Sequence, residues 1–199
     1  MVLKLYAGAN APGGGTCLVA LVLAEKRLPF ELIIIDLSTK ANKTPEFLAM
    51  HPFGQVPVLD DNGFILYEGR AICRYLAEKH YDRGTPGPLI PKVRALFEQA
   101  ASVEFTNFYP AVAKIATEAI AKPSVLTLPA ELATKPFSHK LSAMLNVYEV
   151  ILGKHRFLAS YASRLEFTPA DLFHLMVAPV LALLVGLDIM TSKGPNVAR

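Results

Sequence analysis

Two short segments of the chain combine residue types and spacing that suit the binding of a peptide ligand. Residues 51–59 read His-Pro-Phe-Gly-Gln-Val-Pro-Val-Leu, and residues 66–72 read Leu-Tyr-Glu-Gly-Arg-Ala-Ile. The Val-Pro step of the first segment lies between a glycine turn and a strand, where its backbone groups can pair with an extended peptide. In the second segment Glu68 and Gly69 open an amphipathic helix, and a helix N-terminus stabilises a carboxylate. Together the segments predict a site for a short peptide with acidic ends.

The elements that position these segments form an α/β pattern over residues 1–80. Residues 2–6 alternate apolar and polar side chains as a strand does, and residues 16–26 indicate a buried helix after a glycine-rich loop. Residues 30–36 form a β-branched apolar run, which is typical of a central strand. We therefore expect a right-handed βαβ unit in which the two strands are parallel.

A hairpin and a helix complete this first part of the chain. The runs 56–59 and 64–67 flank an Asn-Gly pair, a strong hairpin signal because both residues tolerate a positive φ. Residues 71–80 then place apolar side chains at helical spacing. The expected result is a small mixed sheet with helices packed on it.

The second part of the chain has a helical period throughout. Residues 82–91 are rich in proline and glycine and read as a linker. A helical pattern follows over residues 92–121, where Pro110 can introduce a kink. Residues 122–136 contain three prolines and are expected to be a loop, and Gly153 is expected to end the next helix. The sequence 168–171, Thr-Pro-Ala-Asp, predicts a capped start for an apolar helix.

Composition excludes several function classes. Apolar residues make up 52% of the 199 residues and charged residues 19%, which is typical of a compact globule. The net charge of +3 comes from scattered lysines and arginines, so neither a nucleic-acid nor a membrane partner is expected. The apolar stretch 172–187 is too short to cross a bilayer. Two cysteines give no disulfide framework, which favours a reducing cytoplasm, and no metal site is indicated.

Four motifs make the chain resemble the soluble glutathione transferases, most closely the phi-type branch of plants and fungi. The motifs are Pro-Glu-Phe-Leu at 45–48, Pro-Phe-Gly-Gln-Val-Pro-Val at 52–58, the segment 66–72, and Phe-Thr-Pro-Ala-Asp at 167–171. The resemblance implies a thioredoxin-like α/β domain at residues 1–81, a linker at 82–91, and an all-helical domain at 92–199 that ends before the family's last helix. It also implies a cytoplasmic homodimer.

The resemblance assigns a glutathione site to residues of the first domain. It implies a cis peptide bond between Val56 and Pro57, with an ordinary trans proline at a sheet edge as the alternative. The family usually has an acid followed by serine where this chain has Glu68 and Gly69, so one hydrogen bond to the ligand is lost and weaker affinity is expected. The implied glutathione-binding residues are Lys43, Gln55, Val56, Pro57, Glu68 and Gly69. For Lys43 and Glu68 a solvated surface charge is the alternative.

The serine that activates the glutathione thiol in phi-type enzymes is missing. Counting back along the first helix places Gly13 at that position, and no serine precedes Ser38. A free thiol has a pKa near 8.5, and lowering it by two units requires about 2.7 kcal/mol of thiolate stabilisation. Three sources remain open: the Thr16 hydroxyl, the Cys17 thiol acting as a nucleophile, and the backbone N–H groups of Gly13, Gly14 and Gly15. A plain N-cap is the alternative for Thr16 and a buried inert thiol for Cys17.

The implied activity is attack of glutathione thiolate on hydrophobic electrophiles, a detoxification reaction. Phe108, Tyr109 and Val112 could line the acceptor pocket, with a place in the helical core as the alternative for most such residues. Two rival hypotheses follow from the missing serine. The protein could bind glutathione and hydrophobic ligands without catalysis, or it could be a glutathione-dependent thiol oxidoreductase that uses Cys17.

Overall fold

The computed structural model of the chain describes residues 2–9, 14–83, 91–117, 130–159, 167–176 and 194–198, with only the backbone described for 130–138. The chain divides into two compact units, residues 1–87 and residues 88–199. No described helix is both long and apolar enough to cross a membrane.

The first unit contains a four-stranded mixed sheet with the strand order β2-β1-β3-β4. The strands are Leu3–Gly8 (β1), Phe30–Ile35 (β2), Val58–Asp61 (β3) and Phe64–Tyr67 (β4). β1 and β2 are parallel, as predicted, and both β1–β3 and β3–β4 are antiparallel. The helices are Gly14–Glu25 (α1), Pro45–Met50 (α2) and Gly69–Lys79 (α3). α1 packs against α3, so the two helices that begin nearest the predicted site are neighbours.

The prediction that residues 30–36 form a central strand is wrong. β1 pairs with both β2 and β3, so β1 lies inside the sheet and β2 lies at its edge. Leu32 and Ile34 on β2 are 53% and 52% exposed. An apolar run of this length does not distinguish a central strand from an edge strand. β3 pairs with β1 and not with β2, and this leaves β2 at the edge of the sheet.

The predicted hairpin is confirmed, and its turn has the expected backbone. Asn62 and Gly63 have φ angles of 56° and 90° between β3 and β4. The Asp60 carboxylate accepts a hydrogen bond from the N–H of Gly63 at 2.7 Å. This turn returns the chain so that β4 ends directly before α3, at Glu68.

The second unit is helical in all its described residues. Its longer elements are Pro91–Val103 (α4), a π-helical turn Glu104–Phe108, Tyr109–Ala116 (α5) and Ala130–Lys154 (α6), followed by Pro169–Phe173 (α7). The π-helical turn, and not only Pro110, therefore interrupts the predicted helix 92–121. Of the loop predicted for 122–136, residues 122–129 lie outside the described residues, and residues 130–136 are helical, so that part of the prediction is wrong. α6 ends at Lys154, one residue after the predicted stop at Gly153. One proline removes a single backbone donor, and a long packed helix can tolerate that loss.

The core of this unit lies between α5, α6 and the described part of the C-terminal segment. Its buried members include Phe108, Ala111, Val112, Ile115, Leu141, Leu145, Tyr148 and Val197. The predicted cap of α7 is confirmed: the Asp171 carboxylate accepts hydrogen bonds from the Thr168 N–H at 2.8 Å and from the Leu158 N–H at 3.0 Å. Asp171 thus fixes both the start of α7 and the end of the preceding segment.

Candidate functional site

The predicted cis peptide bond between Val56 and Pro57 is confirmed. Val56 is half-buried and Pro57 is buried, directly before β3. The β1–β3 pairing reaches only as far as Val58, and among the described residues no backbone hydrogen bond engages the N–H or the C=O of Val56. Both groups of Val56 are therefore available to an extended peptide, as the sequence predicted.

The loop before this bond is held by three hydrogen bonds. The Asn42 side-chain amide donates to the carbonyl of Gly54 at 2.7 Å, and the Lys43 ammonium donates to the carbonyl of Phe53 at 2.8 Å. The N–H of Gly54 donates to the carbonyl of His51 at 2.7 Å. Lys43 is exposed, and its ammonium has further N–H groups for a carboxylate.

Gly54 is required at its position in the loop for two reasons. Its φ is +57°, a conformation that L side chains rarely adopt. A Cβ atom there would stand 2.5 Å from the Asn42 carbonyl oxygen and 2.8 Å from Lys43 Nζ. Gly54 therefore lets the loop lie directly on the short 3-10 turn Ala41–Lys43, which presents Lys43 next to Gln55.

Glu68 has the least ordinary backbone in the site. Its φ of 72° and ψ of 106° are unusual for a residue with a side chain, and such backbone strain clusters at ligand-binding positions. Its carbonyl accepts the first helical hydrogen bond of α3, from the N–H of Ile72 at 2.9 Å. The side chain is exposed and makes no capping hydrogen bond to α3. The carboxylate is therefore available at the helix start for an ammonium group.

Gly69 and Gly15 bring the starts of α3 and α1 into backbone contact. A Cβ atom on Gly69 would stand 3.0 Å from Cα and 3.1 Å from the carbonyl oxygen of Gly15. A Cβ atom on Gly15 would stand 2.9 Å from Cδ of Pro57. The two helix N-termini and the cis proline thus converge, and the serine that the family usually has at position 69 would press on Gly15.

The catalytic candidates lie at or before the first turn of α1. Gly13 is outside the described residues, while α1 begins at Gly14, which has a φ of 74°. Thr16 is therefore the third residue of α1. The alternative interpretation of Thr16, in which it is only the N-cap of this helix, is wrong. Cys17 is half-buried and not fully enclosed. Cys73, in contrast, is fully buried, and this burial raises the pKa of its thiol.

The structure separates the three residues predicted to line the acceptor pocket. Phe108 and Val112 are 2% and 0% exposed and belong to the core of the second unit, so they do not line an open pocket. Tyr109 is half-buried, and its ring stacks on that of the exposed Phe105 with 6.4 Å between centroids. Of the three, Tyr109 stays a candidate. Core and surface positions alternate on this segment, and residue type alone did not separate them.

His51 is a site residue that the sequence reasoning missed. It is 2% exposed, and its Nδ1 is buried with no hydrogen-bond partner among the described residues. Its ring stacks on that of Tyr67, the residue before Glu68, with 4.4 Å between centroids. The signal in the sequence is the histidine directly before Pro-Phe-Gly, a polar residue where the loop turns inward. No cluster of three or more His, Cys, Asp or Glu side chains within the described ranges could hold a metal ion.

A thioredoxin-like sheet with a cis proline at the start of β3, followed by a helical unit, defines the class of glutathione-binding transferases. Residues 1–78 match the family model described as the glutathione S-transferase N-terminal domain. Glutathione S-transferase hmp2 of Hypomyces subiculosus is 40% identical over 100% of this chain and 91% of the relative. Glutathione S-transferase 3 of Zea mays is 37% identical over 88% of this chain and 76% of the relative. The chain belongs to the glutathione S-transferase family.

Solved structures agree with this assignment. Glutathione transferase F2 of Populus trichocarpa has a TM-score of 0.84 and 34% identity, covering 98% of this chain and 89% of its own. Maize glutathione S-transferase I, solved with an atrazine glutathione conjugate, has a TM-score of 0.85 and 28% identity, covering 100% of this chain and 89% of its own. The predicted fold, an α/β thioredoxin-like domain plus an all-helical domain, is confirmed.

Proposed function

We propose that this glutathione transferase binds glutathione along the Val56 backbone and conjugates its thiolate to hydrophobic electrophiles. The observation that carries the proposal is that, within the described part of the chain, the N–H and C=O of Val56 have no backbone partner and lie beside the converging starts of α1 and α3. The cysteinyl part of the tripeptide pairs with Val56. Its glycyl carboxylate meets Lys43 and Gln55, and its γ-glutamyl end meets Glu68 and the N–H of Gly69.

Charge complementarity supports this direction of binding. The γ-glutamyl end carries an ammonium and a carboxylate together, and Glu68 followed by a helix N-terminus offers an acid and a set of N–H donors. The glycyl end carries a carboxylate alone, and the exposed Lys43 ammonium, which donates to the Phe53 carbonyl, is a cation for it. A peptide with a zwitterionic head and an anionic tail therefore matches the order of charges in the site.

Thiolate stabilisation is assigned to the first turn of α1. Thr16 lies in that turn, where its hydroxyl and the helix N-H groups can act on the same sulfur. A hydrogen bond to a charged group contributes about 1.5–3 kcal/mol, which is enough for roughly one to two units of thiol pKa. The glycine N–H groups supply the remainder through the helix dipole.

The deciding experiment combines calorimetric titration of glutathione with a conjugation assay on an aryl chloride. We expect binding and conjugation by the unaltered protein. Glu68→Gln should weaken glutathione binding by about tenfold, because an ion pair to the α-ammonium is lost. Glu46→Gln, at an exposed acid in the first turn of α2, is the matched control and should bind normally. Equal binding by both variants would contradict the site.

The same assays separate the two rival hypotheses. Glutathione binding without any conjugation, restored by Gly13→Ser, would favour a non-catalytic binding protein. Glutathione-dependent disulfide reduction that Cys17→Ser abolishes would favour the oxidoreductase. Conjugation that persists in Cys17→Ser is the outcome we expect.

The homodimer implied by the family resemblance is part of the proposal, and cytoplasmic detoxification is its expected setting. Phe53 is 67% exposed, the largest exposure among the large apolar side chains of the described residues. The helical unit has an apolar cavity of about 320 Å³ between α4 and α6, lined by residues that include Leu96, Val103 and Ile151. Val150, which also lines this cavity, is 60% exposed. We assign Phe53 of each copy to the cavity of its partner.

A further inference from the structure

We propose that His51 is a positioning residue that makes glutathione binding sensitive to acid. The inference rests on the glutathione site proposed above and concerns the residue that supports it from behind. His51 does not contact the ligand in this proposal. It acts through Tyr67 and Glu68 on the side that binds the γ-glutamyl end, and through the loop that carries Phe53 and Gly54.

His51 contacts both segments that form the proposed site, the loop before Val56 and the end of β4 before Glu68. Its ring stacks on Tyr67 at 4.4 Å and 25°, and Phe53 packs edge-on against it at 6.1 Å and 84°. Its backbone N–H donates to the Phe47 carbonyl of α2, and its carbonyl accepts from the N–H of Gly54. A change at this one imidazole is therefore transmitted both to the loop before Val56 and to the residue before Glu68.

The surroundings of the ring favour its neutral form. The ring is buried, and no group in the described part of the chain forms a hydrogen bond with Nδ1. Desolvation lowers the pKa of His51 below its ordinary value; the Glu68 carboxylate opposes this shift and the Lys43 ammonium adds to it. The groups that face His51 are thus Tyr67 on β4, Glu68 after β4, Lys43 on the 3-10 turn and the Phe47 carbonyl on α2.

Protonation of His51 weakens the site in two ways that have the same sign. Because its folded pKa lies below the unfolded value, the neutral ring's contribution is complete above the unfolded pKa of about 6.5 and is lost as the pH falls through the lower folded pKa. In addition, an imidazolium next to Glu68 attracts the carboxylate that would hold the ligand's ammonium. Acid therefore reduces glutathione affinity.

The test measures the affinity of S-methylglutathione by calorimetry between about pH 7.5 and about pH 5.5, a range that spans the ordinary histidine pKa. The blocked thiol removes one ligand group that titrates above this range, and the α-ammonium that remains is fully protonated at the acidic end, so its titration cannot cause a loss of affinity in acid. Because the pKa of His51 lies below its ordinary value, we expect the unaltered protein to lose about two- to fivefold in affinity over this range, and His51→Phe, which keeps an aromatic ring for the stack, to lose less than about 1.5-fold. His80→Phe is the matched control, since His80 also has a lowered pKa and a buried unpartnered nitrogen but lies at the end of α3. It should keep the acid sensitivity.

A second measurement needs no variant to fold. Proton NMR of the five histidines gives their pKa values with and without S-methylglutathione. By linkage, ligand binding must lower the pKa of His51, because the ligand prefers the neutral form. An unchanged His51 pKa, or an acid response that persists in His51→Phe, overturns the inference. If neither the unaltered protein nor the variants bind at about pH 7.5, the proposed glutathione site fails instead.

Discussion

At the scale of single residues, the chain replaces side-chain donors with backbone donors. We propose that Gly69 stands where the family usually has serine and that Gly13 stands at the position of the catalytic serine. Glycine at position 69 fits the close contact with Gly15, since a Cβ atom there would lie 3.0 Å from Gly15 Cα and the Gly15 backbone would have to shift by a few tenths of an ångström. In the proposed site, the N–H groups of two helix starts therefore act together with the Thr16 hydroxyl.

The contact between Gly69 and Gly15 predicts that placing the family's serine at position 69 does not improve glutathione binding. In Gly69→Ser the added hydroxyl could contribute about 1.5–3 kcal/mol to carboxylate binding, but forcing atoms into a packed contact typically removes about 1–3 kcal/mol. We expect no gain in glutathione affinity and a lower melting temperature, measured by calorimetric titration and thermal unfolding. Gly69→Ala, which adds the Cβ atom alone, should show the same loss of stability. Tighter glutathione binding by the serine variant would contradict the contact with Gly15.

Thr16 provides a second prediction at this scale. Thr16→Val keeps the shape of the side chain and removes the hydroxyl, so kcat/KM for an aryl chloride should fall by about tenfold or more. The pKa of the bound glutathione thiol, followed by thiolate absorbance, should rise at the same time. Thr16→Ser keeps the hydroxyl and serves as the control. Unchanged kinetics in Thr16→Val would leave thiolate stabilisation to the backbone N–H groups.

At the scale of elements, Asp61 fastens the β3–β4 hairpin to α3. Its buried carboxylate accepts hydrogen bonds from the Tyr75 hydroxyl at 2.6 Å and from the Asn62 amide at 3.0 Å, and it forms an ion pair with Lys79. Burial alone would raise the pKa of Asp61, but the hydrogen bonds from Lys79 and Tyr75 outweigh it, so the pKa is lowered. The hairpin that leads to Glu68 is thereby held on the helix that Glu68 opens.

The lowered pKa of Asp61 sets the sign of a pH effect. Its contribution to stability is present above the unfolded pKa of about 3.9 and is lost as the pH falls through the lower folded pKa. Asp61→Asn should therefore be less stable by about 1–3 kcal/mol near neutral pH and should lose less further stability in acid. Urea unfolding at several pH values measures both effects. The exposed Glu31→Gln is the control, and equal acid sensitivity of Asp61→Asn and the unaltered protein would contradict the assignment.

At the scale of the whole molecule, the proposed homodimer depends on an exposed aromatic ring and a cavity of suitable size. Phe53→Ser should shift the protein from dimer to monomer in light scattering after size-exclusion chromatography, because a buried Phe contributes about 1.5–3 kcal/mol at each of two symmetric contacts. Val150→Asp, at the cavity, should have the same effect. Phe64→Ser removes a ring of similar exposure on β4 and is the control. A dimer that survives both substitutions would exclude this interface.

Local sequence motifs were enough to predict much of the backbone structure around the candidate site. The Val-Pro step, the Asn-Gly turn, the Thr-Pro-Ala-Asp cap and the start of α3 near Glu68 were all predicted, because each depends on backbone chemistry within a few residues. The helix boundaries around the prolines of the second unit were less accurate. There the packing of α6, which begins at Ala130, outweighs the local preference against a helix.

The sequence by itself therefore determined the family, the order of the elements in the first unit and the cis Val56–Pro57 bond, because turns, caps and helix starts are short-range features. Only the tertiary structure decided that β2 is an edge strand, that Phe108 and Val112 are core, and that Gly15 meets Gly69. It also placed the buried ring of His51 against Tyr67. These facts depend on which distant segments pack together, and residue type and spacing along the chain do not specify that.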